Sequence, residues 1–194
     1  MKFKRIIPAI LVVASALTVA TSCKKKEKEP DLISFNISAS STETVNELRA
    51  DDGTVLMTAE ELKTAFNFFS QYLRDYYYGQ YQVYSKYYSI KDFSTFLSST
   101  ASSSGTTTFE SLMKQDATDR FTSYIACKKE FADLGLSFTE EEQKKIDDSY
   151  NDRVAQLNEK DSSTVSSACQ KLGISQDQFK DYITVANFRI DKIS

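Results

Sequence analysis

Beyond about residue 51 this sequence predicts an all-α fold, and three observations carry that expectation. No proline occurs after Pro30, so no later residue is barred from a helix interior by a missing N–H or a fixed ring. Gly53, Gly79, Gly105, Gly135 and Gly173 each stand where the apolar spacing changes, so they read as punctuation between elements. A Ser or Thr followed three positions later by Glu or Gln recurs just ahead of apolar runs at helical spacing, the signature of a capping box.

Lys2, Lys4 and Arg5 precede an apolar run from Ile6 to Ala20 that is interrupted only by Pro8, Ser15 and Thr18. The run is short for a membrane span and has the length of a secretory signal. It ends in Ala20-Thr21-Ser22-Cys23, small residues before a cysteine, which resembles the bacterial lipobox although Ala20 stands where leucine is commoner. That resemblance implies a signal peptide over residues 1–22. It also makes Cys23 the lipidated first residue of a chain anchored at the extracytoplasmic face of the cell membrane. The alternative is an ordinary signal peptide with Cys23 incidental. Lys24, Lys25 and Lys26 can add about 1 kcal/mol each of attraction when close to anionic headgroups.

Cleavage there removes three basic residues and no acidic ones, leaving 21 basic and 27 acidic residues and a net charge of −6. Such a domain, with no basic face, is a poor candidate for binding nucleic acid. The remaining 172 residues suffice for one domain with a real core. Export leaves two readings of Cys127 and Cys169, a disulfide or a pair of unbridged core residues.

Residues 23–50 are charged, then rich in Ser, Thr and Asn, and lack helical period. They predict a disordered tether of roughly 30 Å reach, although residues 32–37 could form a short strand. After the turn signal Asp51-Asp52-Gly53, Val55-Leu56-Met57 suits a short extended piece. Thr58 and Glu61 then open a helix whose apolar face is Leu62, Phe66, Phe69, Leu73 and Tyr76/Tyr77. A second stripe, Tyr77, Tyr81, Tyr84 and Tyr88, keeps that period past Gly79, where helix propensity is weakest. The tyrosines have two readings. They are core, or part of them stays accessible as a polypeptide-binding surface, since the ring is apolar and the hydroxyl tolerates water.

Residues 98–108 form a low-complexity loop. Thr107 and Glu110 make the next box, ahead of a helix carrying Leu112, Met113, Ala117, Phe121, Tyr124, Ile125, Phe131 and Leu134 and stopping at Gly135. Thr139 and Glu142 open a helix with Ile146, Tyr150, Val154 and Leu157 on its apolar face. A short helix over 165–172 stops at Gly173. Ser175 and Gln178 then open the last one, with Phe179, Tyr182, Ile183, Ala186 and Ile190 inward. The expected core is Leu62, Phe66, Phe69, Phe121, Tyr124, Phe131, Ile146, Tyr150 and Phe179.

The order of these pieces carries more than any one of them. A glycine turn precedes Thr58-Ala-Glu-Glu-Leu, and Thr107-Thr-Phe-Glu opens the long helix. That helix closes on Leu-Gly-Leu-Ser-Phe-Thr-Glu-Glu-Glu (134–142), and the short one on Leu-Gly-Ile-Ser-Gln-Asp-Gln-Phe (172–179). From Gly53 to Ile193 the chain resembles the helical chaperone domain of SurA/PrsA-type extracytoplasmic foldases. For residues 51–194 the resemblance implies a multi-helix orthogonal bundle of the SurA N-terminal type. Its partners would be unfolded or newly exported polypeptides. Members of that family usually carry a parvulin isomerase domain as well, whose active site typically contains a histidine pair. This chain has no histidine and leaves no room for that domain before Ser194, so a chaperone module without isomerase activity is expected, or a piece of a longer foldase.

Chemistry is otherwise sparse. Without histidine, the usual general base and the commonest metal ligand are missing. No phosphate-binding glycine loop occurs. Asp147, Asp148, Asn151 and Asp152 lack the central glycine and closing glutamate of a calcium loop, and helical spacing puts them on a solvated face. The sequence therefore predicts no enzyme, no catalytic residue, no metal, no cofactor and no small-molecule substrate. The competing reading is a structural or partner-binding helical envelope lipoprotein.

Overall fold

The computed structural model describes residues 47–101, 105–160 and 164–194. The signal segment, Cys23 and most of the tether lie outside the described residues. Strands β1 (Glu47–Arg49) and β2 (Val55–Thr58) form an antiparallel hairpin. Helices α1 (Ala59–Tyr87), α2 (Phe93–Ser98), α3 (Phe109–Asp133), α4 (Glu140–Lys160), α5 (Val165–Leu172), α6 (Gln176–Lys180) and α7 (Ala186–Ile193) follow. A π-helical turn, Asp181–Val185, joins α6 to α7. The fold is mostly helical.

The hairpin corrects the tether boundary. Residues 47–50 belong to the folded body: Leu48 pairs with Met57, and Ala50 is buried. Gly53, at φ +88°, closes the turn between the strands, and Lys129 of α3 bridges Asp51 and Asp133 to hold the hairpin down.

Helix α1 starts where the capping box predicts. The Thr58 hydroxyl accepts from the Glu61 amide, and Glu61 reaches back to the Thr58 amide at 2.8 Å. It continues through Gly79 to Tyr87. The boxes at Thr139/Glu142 and Ser175/Gln178 are also present. The box expected at Thr107/Glu110 is not. Thr108 is the N-cap, accepting from Ser111, while Glu110 pairs with Lys114. Three consecutive threonines leave the register open, and Phe109 decides it by stacking on Phe96 with ring centroids 4.3 Å apart.

Two helix ends share one construction. Leu136 N–H donates to Phe131 C=O and Gly135 N–H to Ala132 C=O; Ile174 and Gly173 repeat this with Cys169 and Gln170. With Gly135 at φ +62° and Gly173 at +66°, both are Schellman motifs, in which the left-handed glycine lets the last carbonyls find partners.

Among the described residues the core gathers in two clusters strung along α1. The first gathers Met57, Leu62, Ala65, Phe68 and Phe69 with Tyr124, Val165, Cys169, Ile174, Tyr182 and Ala186. The second, around the far half of α1, holds Leu73, Tyr77, Phe96, Leu97, Met113 and Ala117. Among the expected core residues, Leu62, Phe66, Phe69, Tyr124 and Ile146 are buried, while Phe121, Phe131, Tyr150 and Phe179 are half-buried. Cys127 and Cys169 are both buried and, among the described residues, unbridged, so the two are not paired with each other and read as core thiols. Among the described residues no helix is long and apolar enough to cross a membrane.

Candidate functional site

The far end of the molecule is built from the last turns of α1, from α2 and from the start of α3. Asp92 caps α2 by accepting from the Thr95 amide at 2.7 Å, and Phe93, Phe96 and Leu97 then face one side. Phe96 and Leu97 fill the space against α1 and α3, so α1 finds a partner past Gly79 and stays helical there.

The four tyrosines of the stripe separate by depth. Tyr77 is buried and its hydroxyl donates to Asp116 Oδ2 at 2.7 Å. Burial, and then that hydrogen bond and the Asp116 charge, push its phenol well above the ordinary value. Tyr77 is therefore core, and as a polypeptide-binding residue it is corrected. Tyr81 is half-buried, its ring 5.8 Å from Phe93 and 6.1 Å from Phe96. Tyr84 is 37% exposed, leaning on Phe96 and Phe109, and it stacks on Tyr88 at 5.8 Å. Tyr88 is 62% exposed.

Sequence reasoning left out part of this surface. Tyr87, at 79% exposure, and Val83, at 52%, lie beside Tyr84 and Tyr88 on the outer turns. Half-buried Tyr78 and Phe93 meet at 5.2 Å and continue the aromatic surface toward α2. A signal for α2 was present: Asp92 followed by apolar residues at Phe93, Phe96 and Leu97, the i, i+3, i+4 pattern. The result is a layer of exposed rings backed by the fully buried Phe96. Such a surface can stack on apolar or planar groups through ring faces while phenol hydroxyls take or give hydrogen bonds at the edges.

The acidic cluster on α4 behaves as a solvated face. Asp147 accepts from Lys180 and Gln143, Asp148 and Asp152 are exposed, and among the described residues no group of acidic or cysteine side chains is placed to hold a metal ion.

At the opposite side of the core, Asp181 of the π turn is a charged hub. It accepts from Tyr124 Oη at 2.6 Å, Arg189 Nη2 at 2.7 Å and Lys128 Nζ at 3.1 Å. Burial pushes its carboxyl up, but the Arg189 and Lys128 charges and these hydrogen bonds outweigh that and keep it below the ordinary value.

Comparison with protein-family models, with curated proteins and with solved structures finds no match for this chain.

Proposed function

We propose that this chain is a membrane-tethered extracytoplasmic chaperone module, of the SurA/PrsA helical type, that binds apolar segments of newly exported polypeptides at the aromatic end. The observation that carries the reading is the exposed run of Val83, Tyr84, Tyr87 and Tyr88 over a packed aromatic layer. Folding gives Val83, Tyr87 and Tyr88 little to do, since they keep half or more of their surface in water, whereas varied extended segments can use both ring faces and hydroxyls. Lipid attachment at Cys23 would concentrate the surface near the exit side of the membrane.

A second reading has an observation of its own. Tyr84 and Tyr88 are already stacked on each other, and a preset geometry suits one specific envelope partner better than many clients.

A chain beginning at Lys24 should slow aggregation of an unrelated unfolded protein without ATP. Replacing Tyr87 and Tyr88 together by Ser should remove most of that protection while leaving the helical circular-dichroism signal and the melting temperature nearly unchanged. Protection that survives the double substitution would move the binding surface elsewhere. A wild-type chain that never suppresses aggregation would put the single-partner reading ahead.

A further inference from the structure

Between α3, the α3–α4 connection and the last helix lies an open cleft of about 540 Å³, remote in sequence from the aromatic end. Leu56, Phe131, Leu136, Phe138 and Val185 give it apolar surface. Lys128, Lys180 and Arg189 also line it, and their side chains are only 22%, 23% and 14% exposed. Three cations so far withdrawn from water need compensation.

Among the described residues, the carboxylates in direct contact with these cations leave the compensation one charge short. Lys180 is matched by Asp147. Lys128 and Arg189 share a single carboxylate, Asp181, which also accepts from Tyr124. Asp177, Glu130 and Glu61 lie close by but are exposed, where solvent weakens their pull on these cations without abolishing it. Arg189 spends Nη2 on Asp181, while Nη1 is buried with no hydrogen-bond partner among the described residues and the guanidinium sits 6.0 Å from the Phe131 ring. An unpaired guanidinium N–H in such surroundings calls for an acceptor. The π turn is what places Asp181 and Val185 here, and π turns often mark functional positions in helices.

From these placements we infer that the cleft binds a carboxylate carried on an apolar group, the carboxylate meeting Lys128 and Arg189 and the apolar part lying against Phe131, Phe138 and Val185. Two sources supply that chemistry: the C-terminus of a polypeptide ending in an apolar residue, or a free organic acid. A size of a few hundred cubic ångströms suits one or two side chains.

Isothermal titration of the full chain in non-ionic detergent tests this with three probes: acetyl-Ala-Leu-Phe as free acid, the same peptide as C-terminal amide, and 3-phenylpropanoate. The free acid should bind at least tenfold more tightly than the amide. Binding of phenylpropanoate as tight as the peptide acid assigns the cleft to free acids, and much weaker binding assigns it to chain termini. Lys128→Met should reduce peptide-acid binding to the level of the amide. Asp177→Asn, at the exposed rim, guards against a Lys128 variant that fails to fold; it should tighten the acid severalfold and leave the amide unchanged. Equal affinity for acid and amide, no binding of either acid up to millimolar concentration, or an Asp177→Asn effect shared by acid and amide overturns the proposal.

Discussion

Phe96 has no exposed surface and touches Tyr81, Tyr84, Phe93 and Phe109, so it fixes the floor on which the exposed tyrosines rest. Phe96→Ala should cost about 3–5 kcal/mol in chemical denaturation, and Phe121→Ala less, because Phe121 is only half-buried against Phe66. Glu142 makes a different prediction. The hydrogen bond from Lys192 and those from Thr139 lower its pKa from 4.5 to about 2. A depressed folded-state pKa contributes stability that is present above 4.5 and lost as pH falls toward about 2. The melting temperature of wild type should therefore exceed that of Glu142→Gln at neutral pH, and the gap should close across that window. A gap that persists below it would separate the carboxylate from the link between α4 and α7. Tyr182 gives the alkaline counterpart, since burial and then the Asp181 charge push its phenol up to about 12. Its contribution is intact below 10 and lost as pH rises toward about 12, so alkaline unfolding should release tyrosinate absorbance cooperatively in that interval.

At the level of elements, helix ends were the most legible part of the sequence and the packing between elements the least. Thr58, Thr139 and Ser175 sit at their caps because capping is a matter of three or four neighbouring residues. The same holds for the stops at Gly135 and Gly173. What local pattern could not decide was tertiary. Phe109 chose among three threonines by stacking on Phe96, and the π turn widened a helix whose sequence reads as regular. Depth along the tyrosine stripe was likewise invisible, because Tyr77 and Tyr84 share a period and differ only in what α2 and α3 place over them. Thr58→Ala should cost about 1 kcal/mol by loss of the cap. Gly173→Ala meets no atom within 4 Å of the new methyl, so its cost, about 1–2 kcal/mol, should come from the left-handed backbone alone. An equal cost for Gly135→Ala would show that the two Schellman ends are energetically alike; a much smaller one would mark the α3 end as already frayed.

For the whole molecule, the expectation that reaches farthest from the described residues is the anchor. Cys23→Ser should abolish lipid attachment and release the protein from membranes, measured by fractionation and mass spectrometry of the N-terminal peptide. A wild-type protein without lipid would remove the tether from the proposal. The body behind that tether has a property that follows from α1 alone. Its 29 residues extend about 43 Å, and both apolar clusters hang on it, the first on Leu62 to Phe69 and the second on Leu73 and Tyr77. Neither cluster can melt without stripping part of the same rod, so each holds its own stretch of α1 helical. Amide exchange should accordingly be slowest and nearly uniform from Ala65 to Tyr77 and should quicken only over the outer turns near Tyr87. The aromatic tip is then a loose end on a stiff shaft, free to adapt its last turns while the shaft passes none of that looseness inward.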